Sequence, residues 1–276
     1  MICERHYLKE YFPELGEQDC NAYVDCYIPD TIGIVKDKKY PSMVVCPGGG
    51  YHGVSDREAE VIGLQFLSME YRVFVITYSV APHAFPQQLR EVAGAMELIY
   101  QNAKEWSIDV NKIGIIGFSA GGHLAAQYSN RYDCPEVREI FPESKPVQAS
   151  ILSYAVLSAD PRYRHAGTIR NFVGHADPID VTEKGCSCDL IVSDKTPPTF
   201  LWHTAEDQAV PVECSLLYAQ ALSAHKVPFE LHIYPYGKHG LATADDLVYQ
   251  EMPEEKTARA HKWVEDAKSW LKLIGF

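Results

Sequence analysis

Lys112-Ile113-Gly114-Ile115-Ile116-Gly117-Phe118-Ser119-Ala120-Gly121-Gly122-His123-Leu124-Ala125-Ala126 passes from an apolar run into a run of small residues, with G-x-S-x-G at the junction. The first half suits a strand buried on both faces and the second the opening of a helix. A strand that turns at once into a helix forces its serine into a strained backbone conformation and leaves the hydroxyl standing out at the sheet edge. Side chains two residues before or after that serine would collide, which accounts for Gly117 and Gly121. The helix N-terminus beneath Ser119 favours the negative charge that develops in acyl transfer. The stretch lacks the Lys of a P-loop and the glycine spacing of a dinucleotide fingerprint, so a nucleophile fits it better than a phosphate-binding turn.

Outward from this junction, short β-branched runs alternate with longer amphipathic ones, the mark of a mostly parallel sheet covered by helices on both faces. Strands are expected over 22–28, 42–46, 73–78, 112–116, 148–153, 199–204 and 230–234, the first alternating as an antiparallel edge strand does. Helices are expected over 57–70, 87–105, 120–130, 212–225 and 254–273. The last places Trp263, Ala267, Trp270, Leu271 and Ile274 on one face, so its tryptophans belong to the core. Between 131 and 198 the alternation fails apart from one strand, and residues 160–195 read as a cap excursion over the ligand-binding strand ends. At 276 residues the chain suits a single α/β domain spanning 1–276 with that small cap inserted.

A serine hydroxyl needs a base to take its proton and a carboxylate to fix that base, and chain order in this architecture runs Ser, Asp or Glu, His. The strand over 199–204 leads into Ala205-Glu206-Asp207-Gln208-Ala209-Val210-Pro211, and the strand over 230–234 into Pro235-Tyr236-Gly237-Lys238-His239-Gly240. Asp207 is the expected acid, with Glu206 its nearest competitor, and His239 the expected base. His203 falls inside a strand, and His165 and His175 in the irregular excursion, which ranks them lower. His123, one turn past Ser119, suits packing or capping. Ahead of the nucleophile, Pro47-Gly48-Gly49-Gly50-Tyr51-His52-Gly53 leaves backbone amides open, so the N–H groups of Gly49 and Gly50, with that of Ala120, are the expected oxyanion donors. Tyr51, His52, Tyr78 and Tyr154, all near strand ends, are candidate substrate contacts, with ordinary packing as the alternative.

Together these segments resemble the α/β-hydrolase family, and within it the esterase branch that includes carbohydrate esterases and acetyl-xylan-esterase-like and feruloyl-esterase-like proteins. Pro47-Gly48-Gly49-Gly50-Tyr51 is similar to that branch's oxyanion motif and Gly117-Phe118-Ser119-Ala120-Gly121-Gly122-His123-Leu124-Ala125 to its elbow. Pro198-Thr199-Phe200-Leu201-Trp202-His203 with Asp207-Gln208-Ala209-Val210-Pro211 matches its acid segment, and Tyr234-Pro235-Tyr236-Gly237-Lys238-His239-Gly240 its tail. Pro47 stands where the hormone-sensitive-lipase group has His, which separates the chain from that group. The resemblance implies an α/β-hydrolase fold and a serine esterase that acts on small carboxylic esters, short-acyl esters of sugars among them, without metal or organic cofactor. The rivals are a peptidase or arylformamidase with the same machinery, and a non-catalytic hydrolase-like binding protein.

Composition narrows the partners. A net charge of -12 repels nucleic acid and anionic lipid, and suits a neutral ester better than a polyanion. The eight cysteines are scattered and read as reduced thiols, and Cys186-Ser187-Cys188 is too closely spaced for a zinc knuckle. No apolar stretch approaches a membrane span, and residues 1–10 are charged rather than signal-like, so the expectation is cytoplasmic with no membrane partner. Homo-oligomerisation is left open.

Overall fold

The computed structural model describes residues 1–16, 20–31, 33–176, 179–249 and 254–276. Among the described residues, eight strands form one sheet: β1 (Ile2–Tyr7), β2 (Tyr23–Ile28), β3 (Tyr40–Cys46), β4 (Arg72–Thr77), β5 (Ile108–Phe118), β6 (Ala149–Ser153), β7 (Thr199–Thr204) and β8 (Phe229–Tyr234). Their spatial order is β1-β2-β4-β3-β5-β6-β7-β8. β1 and β2 pair antiparallel, β2 meets β4 antiparallel, and every pairing from β4 to β8 is parallel. The apolar runs of β3 and β5 sit at the centre because parallel strands covered on both faces leave no side for water.

Among the described residues, six α-helices are eight residues or longer: α1 (Glu60–Leu67), α2 (Gln87–Gln101), α3 (Ala120–Arg131), α4 (Ala166–Val173), α5 (Glu213–Ala224) and α6 (Lys262–Leu273). The core divides into two clusters, and the pleat of β3 serves both. Val44 and Cys46 belong to the cluster with α2, α3 and α5, while Met43 and Val45 belong to the cluster with α1 and α6. In α6, Trp263, Ala267, Trp270 and Leu271 are buried as the periodicity predicts, and Trp263 stacks on Trp202 of β7 at 5.1 Å between ring centroids. Among the described residues, no helix is long and apolar enough to cross a membrane.

Two departures from the sequence reading have plain causes. Strand β1 was not expected: it lies at the sheet's edge with most side chains exposed, so it carries no apolar alternation, and its Arg5 grips Asp25 across the pair at 2.7 Å. The helix expected over 57–70 instead opens as a 3-10 turn, Asp56–Glu58, and becomes α-helical at Glu60. That turn delivers the side chain of Glu58 inward. Between β6 and β7, no strand interrupts the described residues of 160–195. This stretch holds α4, whose first turn is capped by the His165 ring and whose end is closed by Gly174 at φ +87°. Residues 177–178 within it lie outside the described residues.

Candidate active site

Each loop of interest leaves the C-terminal end of a parallel strand. The glycine loop follows β3, Ser119 follows β5, Asp207 follows β7 and His239 follows β8. Because β3 neighbours β5 and β7 neighbours β8, the topology sets the loops side by side.

Ser119 sits between β5 and α3 with φ +53°, a left-handed conformation that costs a non-glycine residue energy. Its N–H donates to Ser153 O at 3.0 Å, and its carbonyl accepts from His123 N–H at 3.0 Å and Val156 N–H at 3.2 Å. The turn is too tight for side chains beside it: a Cβ on Gly117 would lie 2.2 Å from Gly121 O, and one on Gly121 would lie 2.1 Å from Cys46 O. The serine is 9% exposed, so its hydroxyl faces a confined space rather than open water.

His239 Nε2 lies 2.8 Å from Ser119 Oγ, and Nδ1 lies 2.6 Å from Asp207 Oδ2. An ionised carboxylate only accepts, so Nδ1–H donates to it, and in the neutral ring Nε2 is left to accept from the serine hydroxyl. The other carboxylate oxygen, Asp207 Oδ1, accepts from the N–H groups of Ala209 and Val210, each at 2.9 Å. Burial raises the Asp207 pKa, but hydrogen bonding from His203 and His239 and the amide of Val210 more than offset this. The carboxyl is therefore held well below the usual carboxylate range. His203, ranked low from sequence, is fully buried. Its Nδ1 pairs with Ser215 Oγ at 2.8 Å, its Nε2–H donates to Val210 O at 2.9 Å, and Nε2 stands 3.4 Å from Asp207 Oδ2. It therefore approaches the same carboxylate oxygen as His239 does. Glu206, the competitor for the acid's role, instead accepts from Gly237 N–H at 3.1 Å.

The glycine loop takes backbone conformations that favour glycine, with φ +126° at Gly49 and +64° at Gly50. It closes on itself through His52 N–H and Gly53 N–H, both donating to Gly49 O, and Ser55 N–H donating to Gly48 O. Asn171 of α4 donates to Gly50 O at 2.8 Å, tying the excursion to the loop. Among the described residues, the N–H groups of Gly49, Gly50 and Ala120 donate to no protein acceptor.

A cavity of about 260 Å³ opens at Ser119. Gly49, Gly50, His52, Ser55, Arg57, Glu58, His165, His239 and Gly240 complete its wall. A larger cavity of about 720 Å³ adjoins it on the acid-loop side, sharing His239 and lined by Glu206, Asp207, Gln208 and Lys238 among others. Of the four expected substrate contacts, His52 stands on the wall, whereas Tyr51, Tyr78 and Tyr154 do not. These three are buried with their hydroxyls engaged: Tyr51 with His123 Nδ1 at 2.8 Å, Tyr78 with Pro47 O at 2.6 Å and Tyr154 with Glu58 Oε1 at 2.6 Å. With rings buried and hydroxyls partnered, all three are packing residues that do not reach the cavity surface.

The wall also contains Ser55, Arg57, Glu58 and Gly240, which were not expected there from sequence, and His165, which was ranked low as a base. His165 Nδ1 accepts from Thr168 at the start of α4, which leaves its other ring nitrogen as the donor. Burial, with His239 and His52 nearby, pushes its pKa below the ordinary histidine value. Its position inside an irregular segment hid it. The cluster Ser55-Asp56-Arg57-Glu58, so soon after the glycine loop, was the available signal for the rest.

A family model described as BD-FAE matches residues 24–222, a span that includes Ser119 and Asp207 and stops before His239. The chain is 36% identical over 239 residues to endo-1,4-beta-xylanase B of Butyrivibrio fibrisolvens, an alignment covering 81% of this chain and 37% of that protein. It is 28% identical over 261 residues to the acetylxylan esterase of Xylanibacter ruminicola, covering 93% and 49% respectively. The chain thus spans less than half the length of either curated relative. Among solved structures, the acetyl ester-xyloside bifunctional hydrolase of Caldicellulosiruptor lactoaceticus superposes with a TM-score of 0.83 at 35% identity, over 99% of this chain and 97% of that one.

Proposed function

The chain belongs to the BD-FAE family, and on that premise we propose that it is a serine esterase that removes short acyl groups, acetyl foremost, from sugars. One observation carries the reading: a single imidazole joins a buried carboxylate at 2.6 Å to a serine hydroxyl at 2.8 Å. That is the arrangement a weak hydroxyl nucleophile needs at neutral pH.

In this reading Ser119 Oγ attacks the ester carbonyl as His239 Nε2 takes its proton, and Asp207 stabilises the imidazolium. The carbonyl oxygen gathers charge and is met by the amides of Gly49, Gly50 and Ala120, each such donor being worth about 3 kcal/mol in a transition state. Collapse expels the sugar alcohol, which leaves with the proton from His239. A water molecule activated by the same histidine then releases the acid.

The polar wall supports an alcohol rich in hydroxyls: His52, Ser55, Arg57 and His165 offer hydrogen bonds where a lipase would present hydrocarbon. The names of the xylan- and xyloside-directed relatives point the same way. Within this reading residues 160–195 act as the cap of a single domain, since they bring His165 to the wall and Asn171 to Gly50 O. The test is a panel of acetylated xylo-oligosaccharides and p-nitrophenyl acyl esters of rising chain length. The native chain should favour acetyl esters, and Ser119→Ala, correctly folded, should hydrolyse none. Near-native turnover by the variant would refute the assignment.

A further inference from the structure

Glu58 joins two parts of the site that are distant in sequence. The residue is 3% exposed. One oxygen accepts from Gly48 N–H at 2.9 Å, at the root of the glycine loop, and the other accepts from Tyr154 O–H at 2.6 Å. The Tyr154 oxygen in turn accepts from Ala242 N–H at 2.9 Å, three residues beyond His239. The Tyr154 ring meets the His239 imidazole edge to face, with centroids 5.1 Å apart and planes at 72°. Tyr154 itself takes an unusual φ of +36° immediately after β6, and its N–H is anchored on Trp202 O at 2.8 Å. Its neighbour Ser153 receives the Ser119 N–H. A buried carboxylate is costly unless its oxygens are hydrogen-bonded, and here both take donors from the loops that flank the nucleophile.

We infer that Glu58 and Tyr154 are positioning residues, a buried brace that fixes the glycine loop and the histidine loop relative to each other so that the backbone donors and the imidazole address one carbonyl. The inference rests on the serine-esterase reading. It makes a demand that packing alone would not: the brace acts in the transition state, where a displacement of about 1 Å can cost about 100-fold in rate.

The experiment compares Glu58→Gln, Tyr154→Phe and the double variant on p-nitrophenyl acetate, with active sites counted by complete fluorophosphonate labelling so that unfolded protein drops out. Each single variant should lose about tenfold in kcat per labelled site with KM nearly unchanged, and the double variant should lose no more than the worse single one, because both break the same chain of hydrogen bonds. A loss below about threefold in either single variant, or losses that multiply in the double, overturns the brace while leaving the esterase reading intact. A native protein that neither hydrolyses the ester nor takes the label overturns both.

Discussion

Replacing Asp207 by Asn should cripple the enzyme without unfolding it, and the geometry says why. Asp207 Oδ1 accepts from two backbone amides at 2.9 Å, and Oδ2 accepts from His239 Nδ1 at 2.6 Å. In the asparagine the oxygen must stay on the two amides. Turning the NH2 group toward them would set donors against donors, at about 1–3 kcal/mol for each buried group left unsatisfied. The NH2 group therefore faces His239 Nδ1, which has to become an acceptor. The imidazole proton moves to Nε2, the nitrogen that stands 2.8 Å from Ser119 Oγ, and the base is converted into a donor that cannot take the serine's proton. A wrong tautomer in such a triad lowers kcat by about 10⁴-fold, equivalent to about 5 kcal/mol of transition-state stabilisation. Steady-state hydrolysis of p-nitrophenyl acetate, with circular dichroism and the melting temperature as controls, measures this. Asp207→Asn protein that is folded and within tenfold of native kcat would refute the reasoning.

Two predictions concern stability. His123 is fully buried between Tyr51 O–H and Cys186 O, and burial, only partly offset by the Cys186 hydrogen bond, pushes its pKa down from 6.5 to about 4. The unfolded chain therefore takes up a proton below pH 6.5 that the folded chain refuses until about pH 4, so stability falls with acid across that window by about 3 kcal/mol from this group. In His123→Gln this linkage is gone, and denaturant titrations should show a shallower acid dependence between those pH values; equal slopes would contradict the assignment. Gly121→Ala would drive a Cβ to 2.1 Å from Cys46 O, so its stability loss should reach the top of the about 1–3 kcal/mol range of overpacking. Gly53→Ala, with nothing within 4 Å, should be close to neutral in the same denaturant titration, and equal effects of the two would refute the steric account.

Local signals made the centre of the molecule legible. The apolar runs of β3 and β5, the glycines around Ser119, and the loops holding Asp207 and His239 each follow from a constraint acting within a few residues. Edge strand β1 left no such trace, because solvent on its exposed side chains removes the need for alternation. The brace was equally hidden: Glu58 and Tyr154 are 96 residues apart, and only the folded sheet brings them together. The same limit governs the tyrosines. Strand-end position was readable at Tyr51, Tyr78 and Tyr154, but whether a ring faces substrate or supports the floor depends on partners such as His123, Pro47 and Glu58. His165 reaches the cavity because α4 folds back onto the glycine loop through Asn171, a tertiary contact with no local signature.

The most direct measurement is peptide mapping by mass spectrometry after fluorophosphonate treatment of the native chain, followed alongside ester hydrolysis. One adduct per chain is expected, on Ser119, formed in step with loss of hydrolysis and absent from Asp207→Asn on the same timescale. An unmodified Ser119 in fully inactivated protein, or full turnover by protein whose Ser119 is completely modified, would contradict it.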